Sequence, residues 1–424
     1  MIRFLYLGLW RDRSRSLFPL LTVVFGVMLT VFLFSWIKGF EDNFLQTNAR
    51  LGSGHIAIMS RAYAAESDQL PNDLALTGVG EILERLRRDF PAFAWTPRIR
   101  FAGLLDIPDK NGETRTQGPV GGLAFDLFSS ASPEKAILNL EPALVKGVLP
   151  QKDGEILLAD EFGTNLGIGP GATATIIAST MYGSMATANL IVTGTFRFGA
   201  PAMDRSMMIA DISTIRTLLD MDDAAGEIVG FFRSGFYDKK KAEQEAERFN
   251  DLYKASRDPF TPQMDTLLAL SGMSQMLGWM DAMLGAIVAI FLTTMFIVLW
   301  NTGLMGNIRR YGETGVRLAL GETKGHVYRS MLAEAAIVGL VGSIIGTAFG
   351  LALAFYIQKH GFDFSAMMRN ASMLMTTRFH TRVTGTAFFI GFIPGVAATV
   401  LGAATAGRAI YKRQTSRLLK ELET

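Results

Sequence analysis

The 424-residue chain contains no cysteine, which excludes disulfides, thiolate metal sites, a cysteine nucleophile and a lipidated cysteine anchor. Histidine is nearly as scarce: His55, His326, His360 and His380 are the full set. None of them falls in a His-Glu-x-x-His pattern, and no Gly-x-Ser-x-Gly elbow occurs. No Gly-Lys pair occurs either, so the chain lacks the P-loop whose backbone amides and lysine cradle ATP phosphates. Charge is missing from four long runs, 17–37, 282–300, 335–358 and 383–407.

Each run is close to the ~20 residues that carry a helix across ~30 Å of hydrocarbon, and core helices of water-soluble domains rarely stay uncharged so long. The runs predict four membrane spans, at 17–38, 277–304, 333–358 and 383–407. The first run is longer than a signal-peptide core and no small-x-small cleavage pattern follows it, so it is expected to remain as an anchor.

Lysine and arginine collect on the cytoplasmic side of a membrane. Basic residues precede the first span (segment 1–16), fill the connection 305–332 and follow the fourth span (tail 408–424). All three are therefore expected inside the cell, with both termini cytoplasmic. The loop 359–382 carries Lys359, Arg369, Arg378 and Arg382 against Asp363 and runs against this rule, but an even number of spans places it outside. Residues 39–276 hold 22 basic and 31 acidic residues, a net charge of −9, against +11 for the rest. That asymmetry, hidden in an overall +2, fits an external block.

Within the block, residues 39–52 extend the first span as a helical stalk, and 265–280 are read as a second stalk returning to the membrane. Between them β-like runs (55–59, 155–159, 173–178, 190–196) alternate with helical stretches (80–89, 239–253). The fold class expected is a four-span α-helical membrane protein with a large α+β extracytoplasmic domain between spans one and two. Gly167-Ile168-Gly169-Pro170-Gly171 reads as a tight turn between helix and strand rather than a phosphate cradle, since no Lys-Ser/Thr follows. Asp160-Glu161 and Asp222-Asp223 read as solvated faces. Nothing assembles a catalytic or metal set, so no cofactor is expected on this chain.

The segment 301–350 contains Glu313-x-Gly315-Val316-Arg317-x-Ala319-Leu320-Gly321, then Leu332-x-Glu334-Ala335 at the mouth of span three. In order and spacing it resembles ABC-transporter permeases of the FtsX-like and MacB-like family. Leu9-Trp10-Arg11, the run 154–171 and the basic tail fall in register with that family. His55-Ile56-x-Ile58 and the run 189–219 look most like its lipoprotein-releasing branch.

That resemblance implies a permease in the inner membrane, its large domain periplasmic, paired with a P-loop ABC ATPase that holds ATP and Mg. It also implies a second permease subunit, the same or different, a lipoprotein or lipid-like cargo, and a periplasmic acceptor chaperone. Residues 311–320 can form an amphipathic helix with Val316, Ala319 and Leu320 on one side, a Glu313–Arg317 pair on another and Gly321 to end it. Residues alone leave open whether this helix lies on the membrane surface; the resemblance implies a coupling helix seated in the ATPase. Glu334 would pair with Arg317 or Arg329, or sit among headgroups.

Gly342, Gly346 and Gly350, with Gly391 and Gly395, form small-residue stripes for close helix packing, and Pro394 is expected to kink span four. Met273, Met276, Met280 and Met283 form a seam entering span two, and Met367, Met368, Met373 and Met375 crowd the other external loop. Such thioethers suit either acyl chains or ordinary packing. Leu29, Phe32, Leu33 and Trp36 with Met276, Met280 and Met283 would line an apolar cavity open to the outer leaflet. Residues 179–189 read as a hairpin tip whose Met181, Tyr182 and Met185 either dock the acceptor or pack back on the domain. Within the family the other readings are efflux of a hydrophobic small molecule and control of cell-wall hydrolases; outside it stands a sensor without transport. Reporter fusions at Pro150 and Thr323 are expected to report opposite sides of the membrane; one side for both overturns this topology.

Overall fold

The computed structural model describes residues 13–109, 111–129, 132–199, 201–270, 273–308, 311–363 and 378–412. Two units result, one made of residues 1–41, 278–362 and 379–424 and the other of 42–277 and 363–378.

The first unit contains the membrane helices. Among the described residues four helices are long and apolar enough to span a membrane, in Leu17–Leu51, Gly278–Met305, Lys324–His360 and Gly385–Arg408, as the four charge-free runs require. Helix α1 (Arg13–Leu51) absorbs span one and the expected stalk without a break. Val23, Val27 and Val31 recur every fourth residue, so they share one face of α1, and all three are fully buried. Across from them lie the glycines of span three. A methyl group added at Gly346 would stand 2.6 Å from the Val24 carbonyl oxygen, and one at Gly350 2.9 Å from that of Met28. Added methyls at Gly391 and Gly395 would strike Val27, and the one at Gly395 also the Ser343 hydroxyl. Between lipid-soluble helices no hydrophobic gain remains, so backbones must approach this closely for dispersion to hold them.

Span four is irregular. A 3-10 turn (Gly385–Phe388) leads to a π-helical turn (Ile393–Ala398), and a regular helix resumes at Thr399–Lys412. Pro394 lacks an N–H, and the wide turn around it is the form the expected kink takes. The Thr399 hydroxyl donates back to the Gly395 carbonyl at 2.8 Å, covering an oxygen that hydrocarbon could not solvate.

The second unit is built on a ten-stranded mixed sheet. Its strands are β1 (Ile56–Ser60), β2 (Phe93–Pro108), β3 (Thr114–Phe125), β4 (Leu144–Gly147), β5 (Glu155–Ala159), β6 (Thr173–Ser179), β7 (Met185–Phe196), β8 (Met207–Asp211), β9 (Glu227–Phe232) and β10 (Pro262–Thr266). The order is β10-β1-β9-β2-β3-β8-β5-β7-β4, with β6 pairing both β2 and β7. The β3–β8 and β5–β7 pairs are parallel and the others antiparallel. The long β2 is shared: residues 93–98 pair with β9 and residues 99–108 with β3. It thus joins two half-sheets.

Three readings of the sequence are corrected. Residues 265–280 are not one helical stalk. Pro262–Thr266 is the edge strand β10, paired with β1 through Ile58 and Met264, and helix resumes only at Met273. The Asn250 side chain seals the open side of that edge by donating to the Met264 carbonyl and accepting its N–H, at 2.9 and 2.8 Å. Strand β7 begins five residues before the apolar run 190–196, because residues 185–189 (MATAN) pair with β6 without an apolar face to betray them. Asp160 is no solvated charge. Burial raises its pKa, but the Thr195 hydroxyl at 2.8 Å, Lys146 at 3.2 Å and Arg197 at 3.6 Å outweigh that and hold it below the usual carboxylate range. Gly167 ends its helix at φ +69 as a plain turn.

Gly346→Ala is expected to destabilise the membrane unit by about 1–3 kcal/mol, because the rigid Val24 carbonyl cannot give way. Gly285→Ala in span two, where an added methyl meets nothing within 4 Å, is the matched control. Unfolding of the two variants in detergent should separate them; equal midpoints would show that the stripe is not a packing constraint.

Candidate functional site

The connection between spans two and three folds as helix α2 (Tyr311–Ala319), within the expected 311–320. Gly321 ends it at φ +94, and the N–H groups of Leu320, Gly321 and Glu322 close on the carbonyls of Val316, Leu318 and Arg317. Thr314 and Gly315 are buried, and Leu318 packs on Val327 and Met331. The opposite face is open: Val316 is 43% exposed and Leu320 82%, with Ala319 exposed between them. The Arg317 guanidinium donates to Glu322 at 2.9 Å. Its expected partner Glu313 has a side chain outside the described residues. Glu334 lies half-buried in the next helix, α3 (Lys324–His360).

The hairpin of β6 and β7 is present, with its tip at residues 180–184. Tyr182 is 78% and Met185 82% exposed. Met181 is half-buried, and its N–H donates to the Leu219 carbonyl at 2.7 Å, which anchors the tip to a neighbouring helix end. Beside it opens a cavity of about 480 Å³ whose lining includes Leu70, Asn72, Asp73, Phe101, Met181 and Tyr182.

Of the residues expected to meet cargo, Leu29 and Met283 are exposed, while Phe32, Leu33, Trp36 and Met280 are half-buried. The Trp36 ring stacks on Phe379 and meets Phe362 edge-on, with centroids 5.9 and 6.1 Å apart. It thereby holds the base of the span three to span four loop, formed by Phe362–Asp363 and Arg378–Phe379. Spans one and two touch where Gly26 faces Met295 and Leu299, deeper in span two than the methionine seam. The side chains of Met273 and Met276, the loop methionines 367, 368, 373 and 375, residues 1–12 and the tail from 413 lie outside the described residues.

A network at the root of α1 was not legible in the sequence. Arg98, fully buried on β2, donates in a fork to Glu134, Nε to Oε1 at 2.7 Å and Nη2 to Oε2 at 2.9 Å. The same guanidinium donates to the Arg50 carbonyl at 3.0 Å and to the Gly52 carbonyl, at the C-terminal end of α1. Burial works against its charge, but Glu134 prevails and holds the pKa above its ordinary value. One turn earlier in α1, Gln46 donates to the Gly235 carbonyl at 2.5 Å and meets His55 Nε2 at 3.2 Å. His55 Nδ1 accepts the Phe232 N–H at 2.9 Å, so the proton of a neutral ring sits on Nε2, the tautomer that donates to Gln46. Burial, with Arg50 nearby, lowers the His55 pKa to about 4.

Residues 285–415 match the model of the FtsX-like permease C-terminal family. Macrolide export ATP-binding/permease protein MacB 1 of Yersinia pestis bv. Antiqua is 29% identical over 169 residues, 39% of this chain and 25% of that protein. MacB of Escherichia coli K12 is 27% identical over 166 residues, 37% of this chain and 25% of that one. The match thus spans about a quarter of each relative. The crystal structure of the periplasmic region of MacB from Actinobacillus actinomycetemcomitans aligns with 53% of this chain and 92% of its own length, at 12% identity and a TM-score of 0.33, a likeness too loose to argue from.

A histidine kept neutral by folding takes up protons more readily when unfolded. The stability it adds is complete above its unfolded pKa of about 6.5 and is lost as pH falls from there toward about 4, at up to about 1.4 kcal/mol per pH unit. Denaturant unfolding of the full chain, followed through the β-sheet unit, should show this slope, and His55→Asn should flatten it. An unchanged slope in the variant would assign the acid sensitivity elsewhere.

Proposed function

We propose that the chain, whose residues 285–415 match the FtsX-like permease C-terminal family and which is similar to MacB, is an ABC permease of that kind that couples ATP hydrolysis by a partner ATPase to extraction of a lipid-bearing cargo. The observation that carries the reading is the open face of α2. Val316, Ala319 and Leu320 form an apolar strip on a short helix whose other side is fixed to its own chain, and an exposed apolar strip of this kind marks a contact surface. ATP and Mg belong in this scheme to the ATPase, since the chain has no P-loop.

Work is transmitted mechanically. The four charge-free runs place no ionisable group mid-span to line an ion or solute path, whereas α1 runs unbroken from the first membrane run to the sheet unit. The second span, helix Met273–Ile308, leaves Trp279, Met283, Ile287, Ile290 and Ile297 exposed, a surface for lipid, acylated cargo or the second permease subunit. The sheet unit faces the periplasm, with both termini cytoplasmic. The hairpin tip, where Tyr182 and Met185 stand free of their own domain, supplies a docking point for a soluble acceptor, which favours a lipoprotein hand-off over small-molecule efflux.

In the complex purified from its host, Leu320→Glu should abolish recovery of the ATPase without loss of the folded permease. Replacing Met181, Tyr182 and Met185 by Ser should leave ATP turnover intact and weaken transfer of an acylated protein to a soluble acceptor. Retention of the ATPase by Leu320→Glu would remove α2 as its seat. Undiminished transfer by the hairpin variant, or ATP turnover stimulated by a macrolide and not by acylated protein, would remove the hand-off.

A further inference from the structure

The end of α1 already has the means to stop. The Gly52 N–H donates to the Asn48 carbonyl at 2.7 Å and the Gly54 N–H to the Ala49 carbonyl at 3.0 Å, and Gly54 takes the left-handed backbone, φ +72, that such an ending requires. Arg98 is not needed to terminate the helix. Nor is a buried Arg–Glu pair a stabilising device in itself: replacing both members by apolar groups is often neutral or favourable, because desolvating two charges offsets their attraction. What the pair supplies is geometry.

A guanidinium is planar and its donors are fixed in direction. Here three groups are held by one plane: the Arg50 and Gly52 carbonyls at the helix end, the Glu134 carboxylate, and strand β2 that carries the arginine. Arg98 stands where the strand changes partners, for Arg98 pairs with Glu227 of β9 and the next residue, Ile99, with Ala124 of β3. Glu134 opens the short helix Glu134–Leu138, in the segment that connects β3 to β4, two strands of the half-sheet on the β3 side of the junction. Gln46, on the same face of α1 as Arg50, is tied through its own two bonds to Gly235 and His55. Sliding or turning the end of α1 would break charge-assisted bonds where no water can replace them.

We propose that Arg98 is a positioning residue that locks the end of α1 to the junction of the two half-sheets, so that displacement of the helix reaches both halves together instead of being absorbed at the root. This rests on the mechanical reading above. The role predicts a separation that a merely structural ion pair would not show. The double variant Arg98→Met with Glu134→Leu removes both charges together, leaves no buried ion alone, and should keep the sheet unit folded, with its unfolding midpoint preserved. It should nevertheless lose the ATP-driven movement of that unit.

The absence of cysteine lets this be read directly by spin labels on Glu247→Cys and Lys359→Cys, both exposed, in the full permease with the ATPase that co-purifies, reconstituted in nanodiscs. In the parent protein the label separation should change between ATP-bound and nucleotide-free states. In the double variant hydrolysis should continue and that change should vanish, while Arg98→Lys, a point charge that cannot fork, should retain only part of it. An undiminished change in the double variant overturns the role of Arg98 and leaves the permease reading standing. No change in the parent protein removes the mechanical reading, and this one with it.

Discussion

Arg98 carries a full charge in a place from which water is excluded, and the one arrangement that tolerates it also fixes where α1 ends. Leaving one member of such a pair alone costs roughly 3–5 kcal/mol, a large share of the stability of a domain, so the fork with Glu134 is kept or replaced as a whole. Around it other polar groups follow the same rule. The Arg100 guanidinium lies 3.0 Å from Glu227 and within reach of Ser53, and His55 spends both ring nitrogens on the sheet and on Gln46. Among the described residues the root of α1 is thus a buried polar cluster, whereas the spans pack through apolar side chains and glycine.

In the spans the constraint is inverted. No charge is available, so position is set by shape: the valine row of α1 enters grooves left by glycine, and the hydroxyls of Thr30, Ser35 and Thr399 turn back onto carbonyls of their own helices. Such contacts hold helices close through many small dispersion terms instead of a few directed bonds. The spans are thus positioned by shape, and the root of α1 by charge-assisted hydrogen bonds.

What could be read from the sequence follows from this division. Spans, the helix at 311–319 and the strands at 56–60, 155–159 and 173–179 were legible because periodicity, charge and glycine placement are local signals. Arg98 was not: within Phe93-Ala94-Trp95-Thr96-Pro97-Arg98-Ile99-Arg100 it looks like one more polar residue of an alternating strand, and its partner lies 36 residues away. His55 was noticed for its place in a family pattern, not for its bonds. The segment from 265 was read as a helical stalk since it leads into a helix, but the pairing of Asp265 and Thr266 with β1 overrides that local continuity. Asp160 looked solvated because its three partners come from two other strands and the loop after one of them.

The exposed hydrophobic groups complete the account, because they sit where neither constraint explains them. Leu320 could have been polar without harm to α2, whose own packing is made by Leu318, and Tyr182 and Met185 could have been serine without harm to a hairpin already fixed by its ladder and by the Met181 bond to Leu219. Side chains that the packing of the described residues does not need, and that water disfavours, mark contact surfaces. One such group lies in the membrane unit and the other in the sheet unit. Helix α1 contributes residues to both units, and the role proposed for Arg98 makes its anchored end the place where a mechanical link between two such partners is tested.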